Sequence, residues 1–212
     1  LGSCATPGKI MLLKDLAYNV PEDAPSAPDL KIQPGDKLGI SVTSEDPQLA
    51  APFNGQLIAG QTSYPVENIG YIVSSDGKIM FPVLGPLKVA GKTTNEIKND
   101  ISHRISDMGY IKDPVVNVSL DNFTITVVGS VQNSVMAVEG PSINLLQVVA
   151  RSGGITKNTN VKDVMVIRTE NGVQNAYSVN LQKKDLFDSP VFYLHQNDVV
   201  YLRPKGSSLS SE

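Results

Sequence analysis

Between Tyr71 and Leu120 the chain alternates short apolar runs with turn chemistry, then breaks into one clean helical pattern. Tyr71, Ile72 and Val73 predict a strand. Asp76-Gly77 supplies the positive φ angles of a two-residue hairpin turn, and Ile79, Met80 and Phe81 predict the returning strand. Pro82, Gly85 and Pro86 punctuate the next stretch, and Leu87, Val89 and Ala90 lead to Gly91, after which the apolar period changes from two to 3.6. Thr93 and Glu96 have capping-box spacing, so each side chain can satisfy an orphan amide at a helix start. Ile97, Ile101, Ile105 and Met108 form one apolar stripe, and Gly109 stops the helix.

Upstream, Leu30, Ile32, Leu38, Ile40 and Val42 alternate with polar residues around Gln33-Pro34-Gly35-Asp36, a two-strand pattern with a Pro-Gly corner. Residues 45–70 are polar and rich in Pro, Gly and Asn, an inserted excursion. Downstream, Val116, Val118 and Leu120 alternate, then Asp121-Asn122 turns the chain into Phe123, Ile125 and Val127, which together predict a hairpin. Gly129 ends that strand. Ser142 is placed to cap a second helix carrying Leu145, Leu146, Val149 and Ala150 on one side, with Gly153-Gly154 as its stop. Val164, Val166 and Arg168 run into Glu170-Asn171-Gly172, the strongest hairpin signal in the chain, and Tyr177, Val179 and Leu181 return. A final strand pair ends at Leu202, where His195 to Leu202 echoes the earlier turn ending in Asp before a strand. Strands outnumber helices, so the expected class is α+β and β-rich: two small domains, the first of short strands with one helix, the second a small sheet with one helix laid across it.

Composition narrows the function classes. A chain of 212 residues can bury a sizeable core unaided. Eighteen Lys and Arg against 21 Asp and Glu, without any block of like charge, argue against a nucleic-acid surface. No apolar run approaches the roughly 18 residues that span a bilayer. The single cysteine cannot form an internal disulfide. It stands at Cys4, behind Leu1, Gly2 and Ser3, where it reads either as a free thiol beside a tag remnant or as the acylated cysteine of a bacterial lipobox, which this stretch resembles. Residues 1–29 carry Pro7, Pro21, Pro25 and Pro28 and read as an extended tether.

Candidate chemistry is thin. His103 falls on the polar face of its helix, and His195 lies in a turn beside Asp198. Two histidines without a spaced partner do not make a zinc site. Asp36, Asp76 and Asp198 each precede a strand, where bonding to the local backbone is the ordinary role. Catalytic, metal and cofactor residues are therefore expected to be none. Sugar rings have apolar faces that aromatics can stack on, which makes Phe53, Tyr64 and Tyr110, in or near loops, the candidate sugar contacts.

Several ordered motifs carry a family pattern. They are Leu30 to Val42 with its Pro-Gly-Asp corner, Ser75-Asp76-Gly77-Lys78-Ile79-Met80-Phe81-Pro82-Val83-Leu84-Gly85, Val89-Ala90-Gly91-Lys92-Thr93, and Asp113-Pro114-Val115-Val116-Asn117-Val118. They resemble the export domain of the bacterial polysaccharide export outer-membrane lipoproteins. Val127-Val128-Gly129-Ser130-Val131, Ala150-Arg151-Ser152-Gly153-Gly154-Ile155-Thr156 and Asp198-Val199-Val200-Tyr201-Leu202 resemble the soluble-ligand-binding β-grasp (SLBB) domain that follows it. The expected division is 1–29 lipobox remnant and tether, 30–121 export domain with an insertion at about 45–70, 122–206 β-grasp domain, and 207–212 tail.

There are departures. Asn133-Ser134 stands where the family has Pro-Gly, and Ser152 where it has Ala. One β-grasp unit is present, so a long stack of such domains is not expected. The chain runs out at Ser207 to Glu212 without an apolar tail, whereas a C-terminal helix can form the outer-membrane pore in the family. The resemblance implies a ring of copies around a channel that passes capsular or exopolysaccharide, with no enzymatic activity. It further implies a lipid anchor at Cys4 in the outer membrane of a Gram-negative bacterium, a folded body in the periplasm, and an inner-membrane polysaccharide co-polymerase as partner. The alternative is a monomeric periplasmic lipoprotein that binds a carbohydrate or other ligand. A hydrolase would need paired carboxylates in a cleft.

Overall fold

The computed structural model describes residues 10–55, 70–131, 134–170 and 172–206. These form two compact units, one spanning Asp29–Phe123 and the other joining the residues up to Pro28 with those from Thr124 onward.

The first unit contains β1 (Lys37–Thr43), α1 (Pro47–Ala50), β2 (Gly70–Ile72), β3 (Lys78–Phe81), β4 (Gly85–Lys88), α2 (Thr94–Asp107) and β5 (Val115–Leu120). β1 is the middle of an antiparallel three-stranded sheet, β2-β1-β5, with Leu38 opposite both Tyr71 and Leu120. The alternation read from the sequence puts Leu38, Ile40 and Val42 into the core. α2 has the predicted capping box, Glu96 N–H donating to Thr93 Oγ1 at 3.1 Å and Thr93 N–H to Glu96 Oε2 at 2.7 Å. Its stripe is shorter than predicted. Ile97, Ile101 and Ile105 are buried, whereas Met108 caps the helix and is exposed, because the chain leaves the helix before that side chain can turn inward.

Three sequence expectations change here. The Asp76-Gly77 turn exists, closed by Gly77 N–H to Ser74 O at 2.8 Å, but it does not make a β2/β3 hairpin. β2 pairs with β1, and β3 pairs with β4 through the turn Pro82-Val83-Leu84, so the turn carries the chain from one sheet to the next. Leu30 to Gln33 is not a ladder strand. Ile32 instead exchanges backbone bonds with Gly91 and Lys92, which still buries its side chain. The start of the 45–70 excursion is packed structure. Asn54 imitates a strand residue, accepting from Val42 N–H at 2.9 Å and donating to Val42 O at 2.8 Å, and Ala50 and Phe53 enter the core.

The second unit contains β6 (Thr124–Gly129), β7 (Ser134–Ala137), α3 (Leu145–Arg151), β8 (Thr159–Glu170), β9 (Val173–Val179) and β10 (Val199–Pro204). Its sheet has the order β7-β6-β10-β8-β9. β8 and β9 form the predicted hairpin, with Glu170 opposite Val173. β5 and β6 do not pair across Asp121-Asn122. β5 lies on β1, and β6 lies between β7 and β10, so this connection joins two units. The predicted final strand pair is one strand, β10, lying parallel to β6 and antiparallel to β8 in the middle of the sheet. Gly129 permits the close approach of β6 to β10, since a Cβ there would meet Leu202 O at 2.2 Å.

α3 is capped by Asn144 with Gln147, not by Ser142. The two form a reciprocal capping box, both bonds at 2.9 Å. The later start rotates the apolar face, so Leu145, Val148 and Val149 are buried and Ala150 is exposed.

Residues 10–25, which read as an extended tether, are bound to the second unit. Leu13 N–H donates to Leu181 O at 3.0 Å and Lys14 N–H to Gln182 O at 2.8 Å, while Gln182 Nε2 donates to Met11 O. Asp15 accepts from Lys184 N–H, Glu22 pairs with Lys184 Nζ at 2.7 Å, and Tyr193 OH donates to Pro25 O at 3.1 Å. Backbone spacing in a Pro-rich stretch carries no signal for bonds to residues some 170 positions away, which is why the sequence suggested a tether.

Candidate functional site

The strongest polar constellation is in the second unit, where the turn His195-Gln196-Asn197-Asp198 feeds β10. Asp198 is 1% exposed. Its carboxylate accepts His195 N–H at 2.8 Å and two guanidinium N–H groups of Arg168 on β8, at 3.0 Å from Nε and 2.6 Å from Nη2. Arg168 also donates to Pro190 O from Nη1 and to Tyr193 O from Nη2, each at 3.0 Å. These bonds tie the buried pair to the turn, to Pro190 and to Tyr193, a structural commitment of both charges. The His195 ring lies 3.5 Å from Glu170. Burial, the larger influence, and the Arg168 charge together push its pKa below the ordinary value, against the opposing pull of Asp198 and Glu170.

In the first unit, Gln33-Pro34-Gly35-Asp36 repeats this turn, and among the described residues no cation pairs with Asp36. Asp36 accepts Gln33 N–H at 2.9 Å, and burial outweighs that bond to push its carboxyl up. Asp76, on the exposed Ser74–Lys78 turn, is pulled the other way, to about 2, by the Ser74 hydroxyl and Lys78. Beside it, Tyr71, Ile72, Asp76, Lys78, Met80 and Pro86 line an open recess of about 560 Å³. Ile72 and Met80 are each 70% exposed there. The Tyr71 hydroxyl is buried without a hydrogen-bond partner among the described residues, and burial raises its pKa. This recess offers an apolar floor with charged rims, a surface suited to contact and not to bond-making chemistry.

Among the described residues no group of three or more His, Cys, Asp and Glu could hold a metal ion, and no helix is long and apolar enough to cross a membrane. His103 is exposed on α2. Cys4 and Tyr64 lie outside the described residues. Phe53 does not sit on a loop surface: it is 1% exposed, and Tyr110 meets its ring edge-on at a centroid distance of 5.7 Å. The structure thus brings two of the three candidate sugar contacts together, with only Tyr110, 52% exposed, open to a solute. Neither the Arg168–Asp198 pair nor the recess was anticipated. The Arg at an inward position of an apolar strand, with an Asp ending a distant turn, was the available signal.

The two units coincide with two known domain types. Residues 24–121 match the family described as polysaccharide biosynthesis/export protein, and residues 124–202 match the SLBB domain. Along the chain an export-type domain is thus followed by an SLBB domain. The chain belongs to the polysaccharide export family. It is 30% identical over 190 residues to the EPS I polysaccharide export outer membrane protein EpsA of Ralstonia solanacearum, and equally to EpsA of Ralstonia nicotianae. The match covers 84% of this chain and 48% of each relative, so the chain spans about half the length of these curated proteins.

Proposed function

We propose that this chain is an outer-membrane export component for capsular or exopolysaccharide, anchored by lipid at Cys4, with its folded body in the periplasm and copies of itself forming a ring around the cargo path. The carrying observation is the ordered pair of domains, export type then SLBB type, matched along most of the chain and shared with relatives named as polysaccharide export outer membrane proteins. Supporting it, β2 pairs along only one edge with a described strand, and β3 and β4 form a two-stranded sheet, with Ile72 at the end of β2 and Met80 on β3 both exposed. Such edges suit packing between like subunits. The role is architectural, so no chemical step is assigned to any residue, and an inner-membrane polysaccharide co-polymerase would hand over the polymer. Weak contact with passing sugar suits Tyr110, while Tyr64 and Cys4 keep the roles expected from the sequence.

Native mass measurement with cross-linking on membrane-extracted, full-length protein tests the ring. Higher-order species are expected, and a persistent monomer would favour the ligand-binding alternative. Surface polysaccharide in a deletion strain tests export, with loss of surface polymer expected and a wild-type coat refuting the assignment.

A further inference from the structure

The segment from Ile10 to Pro25 precedes nearly all of the export-family match and lies outside the SLBB match, yet it is built into the second unit. Its attachments are made by backbone and polar groups: Leu13 and Lys14 N–H, Met11 O, Asp15, Glu22 and Pro25 O. The chain turns tightly on itself, with Leu13 at φ +49, Asn19 at φ +60 and Leu16 N–H donating to Leu13 O. Ile10 and Leu13 are half-buried, but its other large apolar side chains are left outside. Met11, Leu12, Leu16, Tyr18 and Val20 are exposed by 37% to 94% of their surface, five large apolar groups within ten residues.

We propose that this row seats on a phospholipid surface, Tyr18 at the headgroup level and the aliphatic side chains beneath it, as a second membrane signal beside the acyl chains. The inference rests in part on the anchor reading. Cys4 is seven residues from Met11, which an extended chain spans in at most about 25 Å, so an acylated Cys4 holds the row within reach of the bilayer. Bilayers reject unpaired backbone groups, and here Leu13 N–H, Lys14 N–H and Met11 O already have partners in Leu181 and Gln182. Lys14 on the strap suits lipid phosphates, while Asp15 and Glu22 are paired with Lys183 and Lys184. Tyr is the residue type that favours the membrane–water boundary.

The chain contains no Trp, which makes a clean test possible. Full-length protein carrying Cys4→Ser, hence without an acyl chain, and Tyr18→Trp is mixed with vesicles of phosphatidylethanolamine and phosphatidylglycerol. Its emission is expected to shift to shorter wavelength and to be quenched by brominated lipid. Replacing Met11, Leu16 and Val20 by Ser in the same protein, all exposed positions, should lower vesicle partitioning at least about tenfold, or about 1.4 kcal/mol. Emission that vesicles leave unchanged overturns the proposal. So does a shift that appears with rising protein concentration in vesicle-free buffer, which would assign the row to a second copy. Membrane fractionation of Cys4→Ser against the unmodified chain reads the anchor separately, and a result there leaves the fluorescence result standing.

Discussion

Gln33–Asp36 and His195–Asp198 feed β1 and β10 through turns of the same construction. In each, the Asp N–H donates to the carbonyl of the first turn residue at 3.1 Å, and the Asp carboxylate accepts that residue's N–H, at 2.9 Å in one and 2.8 Å in the other. In each, the third residue has positive φ, Gly35 at +90 and Asn197 at +65, and donates to a neighbouring segment, Val73 O or Thr124 O. The Asp carbonyl then accepts from Val73 N–H or Thr126 N–H. What differs is the treatment of the buried charge. Asp198 is matched by Arg168, which also gathers Pro190 and Tyr193, whereas the influences on Asp36 are burial and one backbone bond. A backbone motif can therefore be held by a carboxylate with or without a counter-charge. The two solutions respond differently to mutation and to acid.

The largest contrast comes from removing the charge. Asp198→Asn leaves the Arg168 guanidinium buried without its partner and should cost about 3–5 kcal/mol in urea unfolding of the second unit. Asp36→Asn keeps an acceptor for Gln33 N–H and should cost little. Equal costs would break the comparison. Next is the backbone: Gly35→Ala puts a Cβ at φ +90, where space is open but the conformation is not, and should cost about 1–2 kcal/mol by the same measurement.

Acid should then move the two turns in opposite directions. Asp36 has a folded pKa raised above its ordinary 3.8, so its contribution is fully present below that value and is lost as pH rises through the folded pKa. Asp36→Asn should accordingly gain on the unmodified protein as pH rises from about 3.8 to neutrality, with no difference at the acid end. His195 has a folded pKa lowered from 6.5, so the stability it contributes is present above 6.5 and lost as pH falls through the folded pKa. Hydrogen exchange followed by unit should show the second unit weakening below pH 6.5, and His195→Asn should abolish that component. The smallest effect is expected for Asn197→Gly, which relieves a left-handed non-glycine residue and should stabilise by a few tenths of a kcal/mol in thermal unfolding, partly offset by greater freedom of the unfolded chain.

The resemblance of the two turns was visible as Gln-Pro-Gly-Asp and His-Gln-Asn-Asp, each before a strand. Their difference was not, because Arg168 lies 30 positions from Asp198 and reads as a polar interruption of a strand. Local signals were legible throughout: the Thr93–Glu96 box, the stripe of three isoleucines and the β8/β9 hairpin each depend on neighbours within a few residues. Pairing was not. Asp76-Gly77 and Asp121-Asn122 both turn the chain, but strand partners are chosen by burial, so β2 and β5 flank β1 and β6 meets β10. Asn144 displaced Ser142 as the helix cap because its side chain and Gln147 satisfy two amides together. Among the candidate site residues, loop position suggested exposure for Phe53, and Asn54 gripping β1 is what drew it into the core instead.

The place of β10 carries a consequence for synthesis. Ribosomes deliver the chain from its first residue, so β6, β7, β8 and β9 are all made before the strand that joins the two pairs. Until Val199–Pro204 arrives, β6 and β8 each present an open edge, and a nascent chain stalled short of residue 199 holds two hairpins but no completed sheet. β10 is thus the keystone of this sheet, made after both of the pairs that it joins.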